Sequence, residues 1–94
     1  MARRAAKLRW HEDVELGSEE GQHFLFHRQS KTCIRLDNEI ARDIVGLIDG
    51  ERSQKDICRS LQDTYEGVKY EALLRGVEDV VSVLVEERFV HAVG

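Results

Sequence analysis

The spacing of apolar residues changes abruptly between Thr32 and Gly50. Ile34 and Leu36 stand two apart, as on a strand, whereas Ile40, Ala41, Ile44, Val45 and Ile48 recur on one helical face. A strand therefore hands directly into a helix, with Asp37 or Asn38 as its cap and Gly50 as its stop. Upstream, alternation predicts a strand from Trp10 to Leu16. A second follows from Gln22 to His27, with Phe24 and Phe26 on one side and His23, Leu25 and His27 on the other. The polar stretch Gly17 to Gly21 reads as the loop between them, and Arg28 to Lys31 as the link to a third strand, Thr32 to Leu36.

Downstream, Ser53 and Asp56 form a capping-box pattern that opens a second helix, with Ile57, Cys58, Leu61 and Tyr65 as its buried stripe and Gly67 as its end. A longer third helix is expected from near Lys69 to about Glu87, with Phe89 and Val90 closing the core beyond it. Its residues Tyr70, Leu73, Leu74, Val77, Val80, Val81, Leu84 and Val85 fill a sector of about 140°, wider than the roughly 100° one buried face requires. That margin reads either as fuller enclosure of the helix or as one wall of a groove. The elements add up to an α+β domain, a three-stranded antiparallel sheet followed by three helices, winged-helix-like in order.

At 94 residues the chain is one small domain with a single core, too small for a large catalytic cavity. Residues 1–9 carry Arg3, Arg4, Lys7 and Arg9 and no acid, a basic arm expected to be flexible ahead of a domain over residues 10–94. Those four are part of fourteen bases, so ten face eighteen acids over the rest, a formal balance of −8. Neither a membrane-spanning apolar run nor a secretory core is visible, and a cytoplasmic location is expected. Cys33 and Cys58 read as half-buried thiols in a reducing compartment. His23 and His27, four apart on a strand, stand too far from each other for easy chelation and read as solvent-side residues.

Phosphate loops, dinucleotide fingerprints and nucleophile elbows are missing from the pattern. The acid pairs Glu19-Glu20, Glu78-Asp79 and Glu86-Glu87 read as solvated faces, since neighbours on a helix point about 100° apart. No catalytic residue, metal or cofactor is expected. The winged-helix-like order raises a DNA-binding regulator as the alternative. Charge opposes it: between Tyr70 and Arg88 the bases Arg75 and Arg88 face Glu71, Glu78, Asp79, Glu86 and Glu87. No nucleic-acid or membrane partner is expected. Peptide binding remains, through strand addition at an edge formed by Thr32 to Leu36, which only Arg35 guards with a charge. A second copy pairing on the same edge would give a homodimer instead of a monomer.

The order of elements, together with Leu36, Asp37, Ile44, Leu47, Ile48, Asp49, Gly50, Ser53, Ile57, Leu61, Tyr65, Val80 and Leu84, resembles the PqqD-like peptide chaperones over about Trp10 to Val90. The resemblance implies a recognition element for ribosomally made, modified peptides. Such an element holds the leader segment of a precursor and presents it to a modifying enzyme, often a radical SAM protein, or to a leader peptidase. It places the site on Thr32, Cys33, Ile34, Arg35 and Leu36 of the third strand and on Leu74, Glu78, Val81 and Val85 of the third helix. The chain departs from the commoner pattern with Asp37 in place of asparagine and Phe89-Val90 in place of Gly-Leu or Gly-Ile. The pathway stays open among quinone-cofactor, mycofactocin-like, lasso-type and other peptides.

Overall fold

The structure is a computed structural model that describes residues 7–93. Its elements run β1 (Lys7–Trp10), β2 (Val14–Glu19), β3 (Gln22–His27), β4 (Cys33–Leu36), α1 (Glu39–Leu47), α2 (Gln54–Thr64), α3 (Tyr70–Glu86) and β5 (Val90–Val93). Strands β2, β3 and β4 form the expected antiparallel meander, and the three helices follow.

A separate two-stranded ribbon, β1 paired with β5, joins the two ends of the described chain from Lys7 opposite Val93 to Trp10 opposite Val90. It corrects the sequence reading in two places. Lys7, Leu8 and Arg9, assigned to the arm, are strand, while residues 1–6 lie outside the described residues. The strand expected over Trp10 to Leu16 is instead two elements separated by a turn at residues 11–13. Leu8 is the reason the ribbon holds. Its side chain is buried, its N–H donates to the Arg52 carbonyl at 3.0 Å and its carbonyl accepts from Gly50 N–H at 2.8 Å.

The stretch from Gly17 to Glu19 belongs to β2, so the hairpin turn is only Glu20 and Gly21, both at positive φ (52° and 78°). This is the backbone that matches a two-residue turn to the twist of its strands. Gly17 acts in packing: it sits opposite Phe24, whose ring covers it.

The faces of β3 are the reverse of the hydropathy ranking. Leu25 and His27 are buried toward the helices with His23 half-buried beside them, while Phe24 and Phe26 are half-buried on the other face. His27 is therefore not a solvent-side residue. Its ring lies 4.7 Å from that of His11 and 5.4 Å edge-on from Phe89, and its Nδ1 accepts from Gln29 N–H at 3.2 Å. A tilted ring contact with His11, an edge-on one with Phe89 and one satisfied nitrogen let an imidazole fill a core position.

The helices begin as their sequences dictate. Asn38 Oδ1 accepts from Ala41 N–H at 2.8 Å, making Asn38 rather than Asp37 the cap of α1. The Ser53 hydroxyl and the Asp56 carboxylate cap α2 reciprocally, at 3.3 and 3.1 Å. Helix α1 ends at Leu47, short of Gly50, which takes φ 85° in the loop to α2. The core gathers Leu25 and Leu36 from the sheet, Ile44 and Val45 from α1, Ile57, Cys58 and Leu61 from α2, Leu73, Val77, Val81 and Leu84 from α3, then Phe89 and Val90. Helix α1, which follows β4 directly, lies against β4 and against α3.

Candidate functional site

Strand β4 ends the three-stranded sheet, with β3 as its one neighbour among the described residues. Its register pairs Leu36 with His23, Arg35 with Phe24, Ile34 with Leu25 and Cys33 with Phe26. The His27 N–H donates to the Thr32 carbonyl at 2.9 Å, which fixes that pair as hydrogen-bonded. Antiparallel ladders alternate, so Ile34 and Leu36 also turn their main-chain groups toward β3. Cys33 and Arg35 consequently direct N–H and C=O away from the sheet. That is an open ladder of two residues, the form of edge that accepts an extended chain.

The side chains alternate in the opposite sense. Ile34 is half-buried against the core and Leu36 is buried, which anchors the strand. Cys33 and Arg35 are exposed on the face away from the helices, where Arg35 Nε lies 3.4 Å from Asp37 Oδ1. A cavity of about 300 Å³ opens on that face, lined by Glu19, Glu20, Gln22, Phe24, Cys33 and Arg35. The sequence reading did not include it, because that reading set Phe24 on the face opposite the solvent-side His23 and His27. Thr32 is held at the start of the edge, its N–H on Ser30 Oγ at 3.4 Å and its Oγ1 accepting from that hydroxyl at 3.0 Å.

On α3 the anticipated residues separate by burial. Leu74 is half-buried, Glu78 exposed and Val85 43% exposed, and the three share one flank of the helix. Val81 is 2% exposed and belongs to the core, so it supports this flank from beneath. Val83, 46% exposed, is on the opposite flank, so the apolar margin of α3 is divided between two sides.

The thiols differ in kind. Cys33 is exposed, whereas Cys58 is wholly buried with Sγ 3.8 Å from the Tyr70 carbonyl, and burial pushes its thiol up from the ordinary range. No group of three or more His, Cys, Asp or Glu side chains that would hold a metal occurs among the described residues. No helix among them is long and apolar enough to cross a membrane.

A search of curated proteins gave no significant match. Two solved structures share the fold. One, a lasso peptide synthetase B1 complexed with the leader peptide, is 22% identical, with a TM-score of 0.77 over 92% of this chain and 99% of that one. The other, TbiB1 in complex with the TbiA(beta) leader peptide, is 18% identical, with a TM-score of 0.75 over 88% and 94%. The profile of the family described as coenzyme PQQ synthesis protein D (PqqD) matches residues 22–90, from β3 through the start of β5, and the chain belongs to that family.

Proposed function

We propose that this protein binds the leader segment of a ribosomally made precursor peptide and presents it to a modifying enzyme, a radical SAM protein or a leader peptidase, without catalysing a step itself. The observation that carries the reading is the open ladder at Cys33 and Arg35, on a fold shared with two proteins whose structures are leader-peptide complexes.

The leader adds as a fourth strand beside β4. Its main chain pairs with Cys33 and Arg35, which supplies affinity with little dependence on sequence. Alternate side chains supply selectivity. Those turned toward the helices meet Ile34 and the α3 flank of Leu74, Glu78 and Val85, and those turned outward meet Arg35 and the cavity beside Phe24. The predominance of acids on α3, and a formal charge of −4 for the whole chain, favour a peptide over a nucleic acid as the occupant. Micromolar binding, about −8 kcal/mol, is the expected scale.

The test is an amide chemical-shift titration of the isotope-labelled chain with the leader of a short precursor encoded beside its gene. Saturable shifts at Cys33, Arg35, Leu74 and Val85 support the reading. Saturable binding that leaves those amides unmoved refutes it.

A further inference from the structure

Among the described residues the sheet has a second open end, at β2. Arg28 N–H donates to the Asp13 carbonyl at 2.9 Å, which sets the phase of the β2–β3 ladder. Glu15, Gly17 and Glu19 therefore pair with β3, and Leu16 and Ser18 turn their main-chain groups outward. Val14 turns outward as well, but its N–H is taken by the His11 carbonyl at 3.1 Å.

Beside this edge lies a cavity of about 150 Å³ lined by Trp10, Val14, Leu16, Leu25, Val45 and Gly46. Its one polar side-chain group, the Trp10 indole N–H, is satisfied by the Ile48 carbonyl at 2.9 Å, so the walls are apolar in effect. Leu16 at its margin is 64% exposed, more than the other exposed large hydrophobics among the described residues. Gly46 contributes openness, since a Cβ there would meet no atom within 4 Å. A solitary exposed leucine is unremarkable on a protein surface, but one beside both an unpaired ladder and an apolar cavity is placed for contact.

Charge selects the occupant. Glu15 and Glu19 stand on the outer face of β2, with Glu12 and Glu20 beyond its two ends. Glu12, Glu19 and Glu20 make no ion pair among the described residues, and Glu15 shares Arg28 with Asp13. A second copy pairing β2 with β2 about Leu16 or Gly17 would set Glu19 of each copy opposite Asp13 or Glu15 of the other, a like-charge pairing that sheets disfavour. A foreign strand with basic residues on its outer face and an apolar residue facing inward meets both halves of the surface.

We propose that the β2 edge is a second docking site, for an extended basic segment of a protein partner that inserts one bulky apolar side chain into the Trp10–Gly46 cavity. The site stands apart from the leader reading. Because β2 and β4 are the opposite ends of one sheet, both can be occupied together.

The probe is the synthetic peptide Lys-Val-Lys-Leu-Lys-Val-Lys, titrated into the isotope-labelled full chain, with Glu-Val-Glu-Leu-Glu-Val-Glu as its control. Saturable shifts at Leu16, Ser18, Val45 and Gly46 are expected from the basic peptide and none from the acidic one. Gly46→Leu, which adds a bulky side chain to the cavity lining at a point where a Cβ meets no atom within 4 Å, should weaken binding about tenfold, equivalent to about 1.4 kcal/mol. Leu16→Glu should bind the basic peptide without the shifts at Val45 and Gly46. The proposal is overturned by shifts confined to Cys33 and Arg35, by undiminished affinity in folded Gly46→Leu, by equal binding of the acidic peptide, or by no shift at millimolar peptide.

Discussion

The ring of Phe24 on β3 lies across Gly17 on β2, so closely that a Cβ built on Gly17 would stand 2.6 Å from it. The glycine gives the ring a seat on the outer face of the sheet, and the seated ring forms one wall of the cavity beside Cys33 and Arg35. Gly17→Ala must push the ring aside. We expect a loss of about 1 kcal/mol, at the low end for overpacking because the ring is half-buried and can turn. Shifted Arg35 resonances should accompany it. An unfolding midpoint and an Arg35 environment both unchanged in Gly17→Ala would show that the seat is immaterial.

Asn38 and Ser53 each close a helix with a side-chain oxygen on a first-turn N–H. Replacing either with alanine should cost about 1 kcal/mol in urea unfolding. Asn38→Ala should do more than destabilise. Its residue links the end of β4 to α1, so faster amide exchange is expected at Leu36 as well as in the first turn of α1. Exchange that quickens only within α1 would separate the cap from the edge.

Asp56, Asp49 and Tyr65 each contribute to the pH dependence of stability. The Ser53 N–H, then the Ser53 hydroxyl, hold the Asp56 carboxyl below its ordinary 3.8, and the Glu51 N–H foremost does the same for Asp49. A depressed carboxyl binds its proton more readily in the unfolded chain. Its contribution is thus complete above pH 3.8 and fades as pH falls through the folded value. Ser53→Ala, which keeps the N–H and removes only the hydroxyl, should make this acid limb shallower in part, whereas Asp56→Asn should remove the whole share of Asp56. At the other extreme, Tyr65 donates to the Asp43 carboxylate, which pushes the phenol up from 10.0 to about 12. That contribution is complete below pH 10.0 and lost as pH rises through about 12, so Tyr65→Phe should differ from the parent at neutral pH and converge with it in strong alkali. Parallel melting curves from pH 3 to pH 12 for parent and variants would contradict both assignments.

Val81 and Val85 lie one helical turn apart on α3 and should respond differently to the same change. Val81→Asp buries an unpaired carboxylate in the core and should cost about 4 kcal/mol or more, enough to unfold much of a small domain. Val85→Asp changes an exposed position and should leave the melting curve within about 0.5 kcal/mol of the parent. Its effect should fall on leader affinity. Equal thermal damage from the two would place Val85 in the core, and undiminished leader affinity in Val85→Asp would remove this flank from the site.

The sequence made legible whatever depends on near neighbours. The period change at Ile34 to Ile48 located β4 and α1, and the Ser53–Asp56 spacing located α2, because caps and amphipathic faces are local. The β1–β5 ribbon was not legible. Lys7-Leu8-Arg9 reads as part of a basic run and Trp10 as the start of a longer strand, while their partner Val90–Val93 lies eighty or more residues away. The faces of β3 failed for a related reason: His11 and Phe89, which make a buried place for the His27 ring, come from distant segments. The edge of the candidate site was legible as β-rich and thinly guarded, since an edge is defined by pairing it lacks. Its helical wall was legible only in part. Periodicity placed Leu74, Val81 and Val85 on one side of α3 but could not reveal which of them the other helices cover.

Proline at position 33 tests the central claim most directly. The Cys33 N–H points away from β3, so Cys33→Pro removes no bond of the existing ladder and sets its ring on the open edge. Calorimetric titration of folded Cys33→Pro with the neighbouring precursor leader should show at least about a tenfold loss of affinity, near 1.4 kcal/mol, with the melting temperature held close to that of the parent. Parent-like leader affinity in that folded variant would mean that no strand is added at β4.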